Sequence, residues 1–353
     1  MRSLLTWASL LCLAACAPKT NHDIIVRGGT IYDGSGEPAF VGDVAIDGDR
    51  IAAVGDLGDA TARRTIDARG MAVSPGFINM LSWATRTLLV DPRALSDIKQ
   101  GVTLEIFGEG QSMGPLTPAM RSSMARGQGD LKFDVTWTTL AEYLEHLESH
   151  GVGVNVASFV GATTLRIHEI GYENRAPTEE ELGRMVQLCR DAMEDGALGM
   201  GSSLIYAPAF YAKTDELIAL AKVVGEYGGM YISHMRSEGN QLLEALEELI
   251  QIAREGDVAA EIYHLKAAGE ENWSKLEPLI ERVEAARRDG LRITADMYTY
   301  TAGSTGLDAA MPPWVQAGGY GRWRHQLQKP KVRALVKKEM TTPTTKWENL
   351  YLA

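Results

Sequence analysis

The segment 229–269 constrains the fold most, because it reads as a strand, a helix and a second strand. Apolar residues at helical spacing stand between two short apolar runs, at 229–233 and 258–263. A helical crossover of this kind joins parallel strands. The two runs end at His234 and His264, so both histidines are predicted at the carboxyl ends of neighbouring parallel strands. An α/β barrel carries its chemistry at that end.

The same alternation of strand and helix continues through most of the chain. Strands are predicted at about 72–80, 102–108, 154–161, 197–204, 229–234, 258–264 and 291–297. The clearest helix spans 178–195, because Thr178 and Glu181 form a capping box and Gly196 marks its end. Repeated βα units favour an α/β fold, a (β/α)8 TIM-type barrel with seven of its eight strands present. The predicted barrel occupies 71–353 and is truncated before strand 8.

A small β-rich module precedes the predicted barrel. Residues 23–70 alternate short β-rich runs with turns, and Asp33-Gly34 and Asp47-Gly48 are typical of hairpins. Ser74-Pro75-Gly76 marks the end of the module. It is too short to close a sandwich alone, so we predict a partial β-sandwich.

The first residues form a predicted targeting segment. Residues 1–15 have a basic start and an apolar stretch, as in a lipoprotein signal peptide. The tetrapeptide Leu13-Ala14-Ala15-Cys16 resembles the bacterial lipobox, which implies lipidation of Cys16 and a linker over 16–22. Ala17 beside it is similar to the signal for outer-membrane sorting, so we expect a lipid-anchored protein facing the periplasm. An ordinary secretion signal is the alternative.

The net charge limits the kinds of binding partner, and the cysteine content limits the disulfide bonds, that the chain is expected to have. The formal net charge of −11 argues against nucleic acid and against adhesion to anionic lipid by surface charge. Beyond the first twenty residues no stretch is long and apolar enough to span a bilayer. Cys12 would leave with the signal peptide, so Cys189 would be the only thiol besides the lipidated one and no internal disulfide is expected. Its helical face carries apolar neighbours, which predicts core packing.

A metal ion needs three or more converging ligands, and the two histidines supply two. The third candidate is Glu109, which follows the second predicted strand between Gly108 and Gly110. Flanking glycines let the backbone turn sharply. On position alone, a solvated loop carboxylate is the alternative, and Glu105 is a deeper rival. The fourth predicted strand carries no lysine, so a carbamylated lysine that bridges two metals is not available there.

Five segments carry a resemblance to a known family. They are DGSGEPA, IDARGMAVSPGFIN, YAPAFYAKTDELIALAKVVGEYGGMYISHMRSEG, YHLKAAGEENW and TADMYTYTAGSTGLDAAMPPW. From about residue 23 onward the chain resembles the amidohydrolase superfamily, and within it the N-acyl-D-amino-acid deacylases, or D-aminoacylases. The resemblance implies a (β/α)8 barrel with a small β-sandwich. It also implies that His234 and His264 bind zinc, and that Glu109 replaces the family's third ligand, a cysteine.

The resemblance extends to residues expected to contact the substrate. Lys266, Tyr298 and Ser304 match family residues that hold the substrate's free carboxylate, and a cation with hydroxyl groups suits that task. For Lys266 the alternative is a surface lysine. Tyr206 matches a family tyrosine near the acyl carbonyl, where a phenol could stabilise an oxyanion.

Arg236 and Glu238 lie beside His234 in the sequence, and their role stays open. They are interpreted either as residues that orient the metal ligands or as an exposed ion pair.

The chain departs from the family in two places. Leu81-Ser82-Trp83 stands where the superfamily has a His-x-His pair, so one zinc ion per chain is expected. The aspartate that serves as general base in the family is expected beyond residue 353, with Asp296 or Glu105 as the alternative base. Residues 17–353 alone are therefore expected to be poorly soluble and inactive.

The leading hypothesis is a zinc-dependent hydrolase that cleaves N-acyl-D-amino acids to a carboxylate and a D-amino acid. Its partners would be small-molecule substrates and, through Cys16, a membrane. One alternative is a cyclic-amide hydrolase of the hydantoinase or dihydroorotase kind, although those use the paired histidines. Another is a lipoprotein that binds ligands without catalysis, which the absent His-x-His pair favours.

Overall fold

The structure, a computed structural model, describes residues 21–341. The chain divides into two compact units, of which the first ends at Gly76 and the second begins at Phe77. The signal peptide, 1–15, and the lipidated Cys16 lie outside the described residues and remain predictions. The first strand begins at Asn21, two residues inside the predicted linker.

The first unit is a mixed sheet. Its strands are β1 (Asn21–Ile31), β2 (Phe40–Asp47), β3 (Arg50–Gly55), β4 (Thr61–Asp67) and β5 (Ala72–Val73). They lie in the order β3-β2-β1-β4, with β5 also paired to β1. β1 and β2 are antiparallel, whereas β4 and β5 run parallel to β1. The Asp47-Gly48 turn joins β2 to β3, as predicted, and Gly48 has a φ of 59°.

The second unit is built on parallel strands. They are β6 (Phe77–Asn79), β7 (Val102–Phe107), β8 (Asn155–Ser158), β9 (Val160–Gly161), β10 (Gly199–Ser203), β11 (Met230–His234), β12 (Ala259–Ile262) and β13 (Ile293–Ala295). Neighbours pair in chain order from β6 to β8 and from β9 to β13. Phe159 alone separates β8 from β9, so the two are successive parts of one predicted strand. The predicted α/β barrel class is confirmed.

The predicted first barrel strand, 72–80, is wrong in its extent. Ser74, Pro75 and Gly76 interrupt it, so β5 joins the sheet of the first unit and only β6 belongs to the second. Proline has no backbone N–H to donate to a sheet, and this accounts for the break.

Helices alternate with the strands of the second unit. The α-helices are α1 (Leu95–Ile98), α2 (Pro118–Arg126), α3 (Leu140–His150), α4 (Ala162–Ile170), α5 (Glu179–Glu194), α6 (Thr214–Glu226), α7 (Leu242–Gly256), α8 (Leu276–Arg288), α9 (Pro313–Gln316), α10 (Tyr320–Gln326) and α11 (Pro330–Met340). Among the described residues, four 3-10 turns occupy Thr87–Leu89, Ala209–Tyr211, Glu270–Lys275 and Leu307–Ala310. Thr178 and Glu181 cap α5 reciprocally, as predicted. Within residues 21–341 no helix has both the length and the apolar character needed to cross a membrane.

Two cores lie on either side of the parallel strands. The larger one joins the strands to the helices and includes Cys189, which is fully buried. Burial raises the pKa of its thiol to about 12, so Cys189 serves packing. The smaller core holds Ile106, Phe159, Ile232 and Tyr263. Side chains alternate along a strand. His234, two residues after Ile232, therefore extends on the same side as this smaller core.

Candidate metal centre

Three predicted ligands meet at the carboxyl ends of three parallel strands, β7, β11 and β12. Glu109, His234 and His264 bring one ligand atom each to within 4.8 Å of one another. Oε1 of Glu109 lies 3.0 Å from Nδ1 of His234 and 3.5 Å from Nε2 of His264. The side chains of Glu109 and His234 are each 8% exposed. The cluster is therefore enclosed, and Glu109 is not a solvated loop carboxylate.

The backbone around Glu109 requires its two flanking glycines. Gly108 has a φ of 109° and Gly110 a φ of 70°, a region that favours glycine. A Cβ atom at Gly108 would lie 2.4 Å from the carbonyl oxygen of Phe159. At Gly110 it would lie 2.7 Å from Cβ of Ser203. The chain can thus turn directly after β7 and aim the Glu109 carboxylate at the histidines.

His264 is held in an uncommon backbone conformation. Its φ is 38°, which is rare for a residue other than glycine and is found at functional sites. The His264 N–H donates to Oδ1 of Asp296 at 2.5 Å, and Leu265 N–H donates to the Asp296 carbonyl oxygen at 3.0 Å. These two bonds hold the turn after β12, from which Nε2 of the His264 imidazole lies 3.5 Å from Oε1 of Glu109.

The negative charge of Glu109 and the positive charge of His264 stabilise each other within the cluster. Burial by itself would raise the pKa of Glu109, but hydrogen bonds from His234 and His264 outweigh it and lower the pKa to about 2. Burial by itself would lower the pKa of His264, but hydrogen bonds to Glu109 and Glu238 raise it to about 9. Without a metal, the site is a carboxylate paired with an imidazolium.

The donor set fits a zinc ion. Two imidazoles and one carboxylate form the three-ligand protein set typical of catalytic zinc, which keeps a further position open. Nε2 of His234 is buried and has no hydrogen-bond partner within the described chain. An unpaired buried nitrogen is costly, and a bound metal ion is one way to satisfy such a cluster.

The predicted rivals to these residues lie elsewhere. Glu105 is fully buried, accepts a hydrogen bond from Ser82 Oγ at 2.7 Å and is not in the cluster. Burial raises its pKa. Asp296 lies beside the centre through its bond to the His264 N–H, and its Oδ2 is buried without a partner in the described structure. Of the two alternative bases, Asp296 is therefore the one that contacts the site.

Only some of the residues expected to contact the substrate lie close to the histidines. Nζ of Lys266 lies 5.4 Å from the ring centre of Tyr298, and the Tyr298 and His264 rings are 6.4 Å apart. The Tyr206 ring meets the His234 ring edge-on at 5.5 Å, and its hydroxyl contacts Thr305 Oγ1 at 2.8 Å. Ser304 is exposed on the loop that follows β13.

Arg236 and Glu238, which the sequence left open, have different partners. The Arg236 guanidinium pairs with both oxygens of Glu248, at 2.8 and 2.9 Å, and donates to two backbone carbonyls. Glu238 instead reaches the metal centre: its Oε1 lies 2.9 Å from Nδ1 of His264 and 2.6 Å from Nζ of Lys266. The sequence left open that Glu238 orients a metal ligand, and the structure places it on His264; its pairing with Lys266 was not predicted.

Comparison with known proteins gives the family. A D-aminoacylase of Alcaligenes xylosoxydans xylosoxydans is 38% identical over 292 residues, which are 81% of this chain and 59% of that protein. The chain belongs to the D-aminoacylase family of amidohydrolases. A solved D-aminoacylase, studied for the functional role of its binuclear metal centre, is 34% identical with a TM-score of 0.72 and covers 90% of this chain and 69% of its own. No family model matches the chain.

A second D-aminoacylase relative was solved with ligands. The N-acyl-D-glutamate deacylase of Bordetella bronchiseptica, complexed with zinc and a phosphonate inhibitor, is 30% identical with a TM-score of 0.70. That match covers 79% of this chain and 59% of the relative. The chain thus spans about three fifths of the length of the curated D-aminoacylase that it matches.

Trp83 occupies the place where the resemblance predicts a histidine of the D-aminoacylase family. Its indole N–H donates to Oε2 of Glu109 at 3.1 Å, while Oε1 faces the two histidines. An indole can donate this hydrogen bond but cannot ligate a metal. The two oxygens of Glu109 therefore have separate tasks, and the family's paired-histidine position holds no metal ligand.

Proposed function

We propose that the protein is a zinc-dependent deacylase that hydrolyses N-acyl-D-amino acids to a carboxylate and a D-amino acid. The observation that carries the proposal is the cluster of Glu109, His234 and His264 at strand ends in a chain of the D-aminoacylase family. The named activities of the relatives support the substrate class, since the matched proteins are a D-aminoacylase and an N-acyl-D-glutamate deacylase.

We infer one zinc ion per chain, held by Glu109, His234 and His264. When bound, zinc would supply Lewis-acid chemistry that activates water and polarises a carbonyl oxygen. Leu81 and Trp83 offer no ligand for a second ion, and Trp83 already contacts Oε2 of Glu109. The solved D-aminoacylase is described in terms of one-metal activation and second-metal attenuation, which supports a single-ion enzyme.

We assign the surrounding side chains to two different groups of the substrate, its free carboxylate and its acyl oxygen. We assign the substrate's free carboxylate to Lys266, with Tyr298 and Ser304 as hydroxyl donors, because cation and hydroxyl groups suit that anion. Tyr206 packs against His234 and would donate to the acyl oxygen as negative charge develops there. Burial raises the pKa of Tyr206, so its phenol keeps the proton needed for donation.

Paired substrates test the proposal. The full-length protein, supplied with zinc, should hydrolyse N-acetyl-D-leucine and leave N-acetyl-L-leucine largely intact, and a chelator should stop the reaction. Free leucine is measured by amine derivatisation. Equal hydrolysis of the two enantiomers, or hydrolysis that withstands metal removal, would contradict the proposed activity.

A further inference from the structure

We propose that Glu238 is a positioning residue that couples the metal centre to the carboxylate-binding end of the site. The inference rests on the proposed function, because it assigns Glu238 to the same zinc and the same substrate anchor. One oxygen of Glu238 serves both ends, so a change there should disturb metal affinity and substrate discrimination together.

The contacts of Glu238 are concentrated on Oε1. This atom lies 2.6 Å from Nζ of Lys266, 2.9 Å from Nδ1 of His264 and 3.9 Å from Nε2 of His234. The Glu238 side chain is 15% exposed, so it is not a solvated loop carboxylate. Lys266 also approaches His264 directly, with Nζ 3.0 Å from Nδ1 and 3.1 Å from the backbone oxygen.

The backbone holds Glu238 at this junction. Its carbonyl oxygen accepts the Ala268 N–H at 2.8 Å, which ties the loop after β11 to the loop after β12. On one side, Lys275 Nζ donates to the carbonyl oxygens of Gly239 and Asn240 and to Asn272 Oδ1. Glu238 is therefore placed by two loops that each follow a predicted metal ligand.

At the metal end, Glu238 orients the ring of His264. Its Oε1 lies 2.9 Å from Nδ1, while the other ring nitrogen, Nε2, faces Oε1 of Glu109 at 3.5 Å. Such outer partners orient a metal-binding histidine and raise its basicity, and their loss typically lowers metal affinity. The negative charge also offsets the positive charge of Lys266, which otherwise lies beside a cation site.

At the substrate end, Glu238 aims Lys266. An ammonium group has three hydrogens to donate, so Nζ can keep its bond to Glu238 while it binds a substrate carboxylate. The long lysine side chain would otherwise have several rotamers, and holding one of them reduces the entropy lost on binding. Discrimination for a free carboxylate should thus depend on Glu238 as well as on Lys266.

Glu238→Gln tests the coupling through two readouts. Zinc affinity, measured by competition with a chromogenic chelator, should fall by about 10- to 100-fold. With zinc at saturation, the preference in kcat/KM for N-acetyl-D-leucine over its carboxamide should fall by about 10-fold or more. Glu248→Gln is the matched control, because Glu248 also pairs with a cation, Arg236, but contacts none of the three ligands. It should keep both values.

The outcomes separate the coupling from the proposed function. A Glu238→Gln protein that changes in only one readout, or in neither, would overturn the coupling and leave the deacylase proposal standing. A wild-type protein that binds no zinc would overturn the proposed function and the coupling with it. Loss of both properties in Glu238→Gln but not in Glu248→Gln is the expected result.

Discussion

His264→Ala and His234→Ala should each abolish zinc binding, and hydrolysis of N-acetyl-D-leucine should fall by a factor on the order of 10³ or more. Each substitution leaves two of the three ligands, Glu109 and one histidine, and the remaining pair cannot replace a three-ligand set. Metal content after equilibrium dialysis gives the first value, and the rate of leucine release gives the second.

His168→Ala is the control for these substitutions. His168 lies in α4, pairs with Glu169 at 3.0 Å and touches none of the three ligands. This variant should retain zinc and activity, since it removes an imidazole whose partner is Glu169 and not a ligand of the candidate metal centre. If His264→Ala still bound zinc with wild-type affinity, the metal centre would have to be assigned to other residues.

Lys266→Met should selectively impair substrates that carry a free carboxylate. We expect kcat/KM for N-acetyl-D-leucine to fall about 30- to 1,000-fold, because the pair of Lys266 and the substrate carboxylate would be partly desolvated. This fold-change corresponds to a loss of roughly 2–4 kcal/mol of transition-state stabilisation. The lower end of this range is expected, since Lys266 already donates one hydrogen bond to Glu238. The carboxamide of the same substrate should be affected far less, and steady-state kinetics on both substrates measures the difference.

Lys222→Met provides the comparison for Lys266→Met. Lys222 is exposed on α6, so its loss removes a similar side chain without removing the proposed anchor or disturbing the loop that carries Glu238. Equal losses on the acid and the amide in Lys266→Met would show that Lys266 does not bind the carboxylate. Zinc content should stay near one equivalent in Lys266→Met, which separates the effect on substrate binding from any effect on metal binding.

The candidate metal ligands were partly predictable because two of them depend on strand ends. Short apolar runs that finish at His234 and His264 locate both residues on the same edge of a parallel sheet, and alternation along β11 then sets the side of His234. For Glu109 the flanking glycines predicted the sharp turn, and both have positive φ values, but only the family resemblance favoured a ligand over a solvated loop carboxylate. Periodicity and backbone sterics are local, so they can be read from the sequence.

The contacts between loops were not predictable in the same way. Glu238 and Lys266 lie in segments without a repeating pattern, and their meeting depends on the turn at His264, where φ is 38°. A positive φ at a residue other than glycine leaves no compositional signal. The indole bond from Trp83 to Glu109 joins residues 26 positions apart and likewise depends on tertiary structure.

The break in the first predicted strand has a signal in the sequence. Ser74-Pro75-Gly76 marks the end of the β module, although the apolar pattern continues across it from 72 to 80. The structure assigns Ala72–Val73 to one sheet and Phe77–Asn79 to another. The missing N–H of proline outweighs an apolar pattern where the two disagree.

Zinc titration of the metal-free full-length protein tests the central claim most directly. The rate of N-acetyl-D-leucine hydrolysis is measured as zinc is added at a protein concentration well above the dissociation constant. A single centre built from Glu109, His234 and His264 predicts a linear rise that breaks at about one equivalent of zinc per chain. A rate that ignores zinc, or one that keeps rising to about two equivalents, would contradict it.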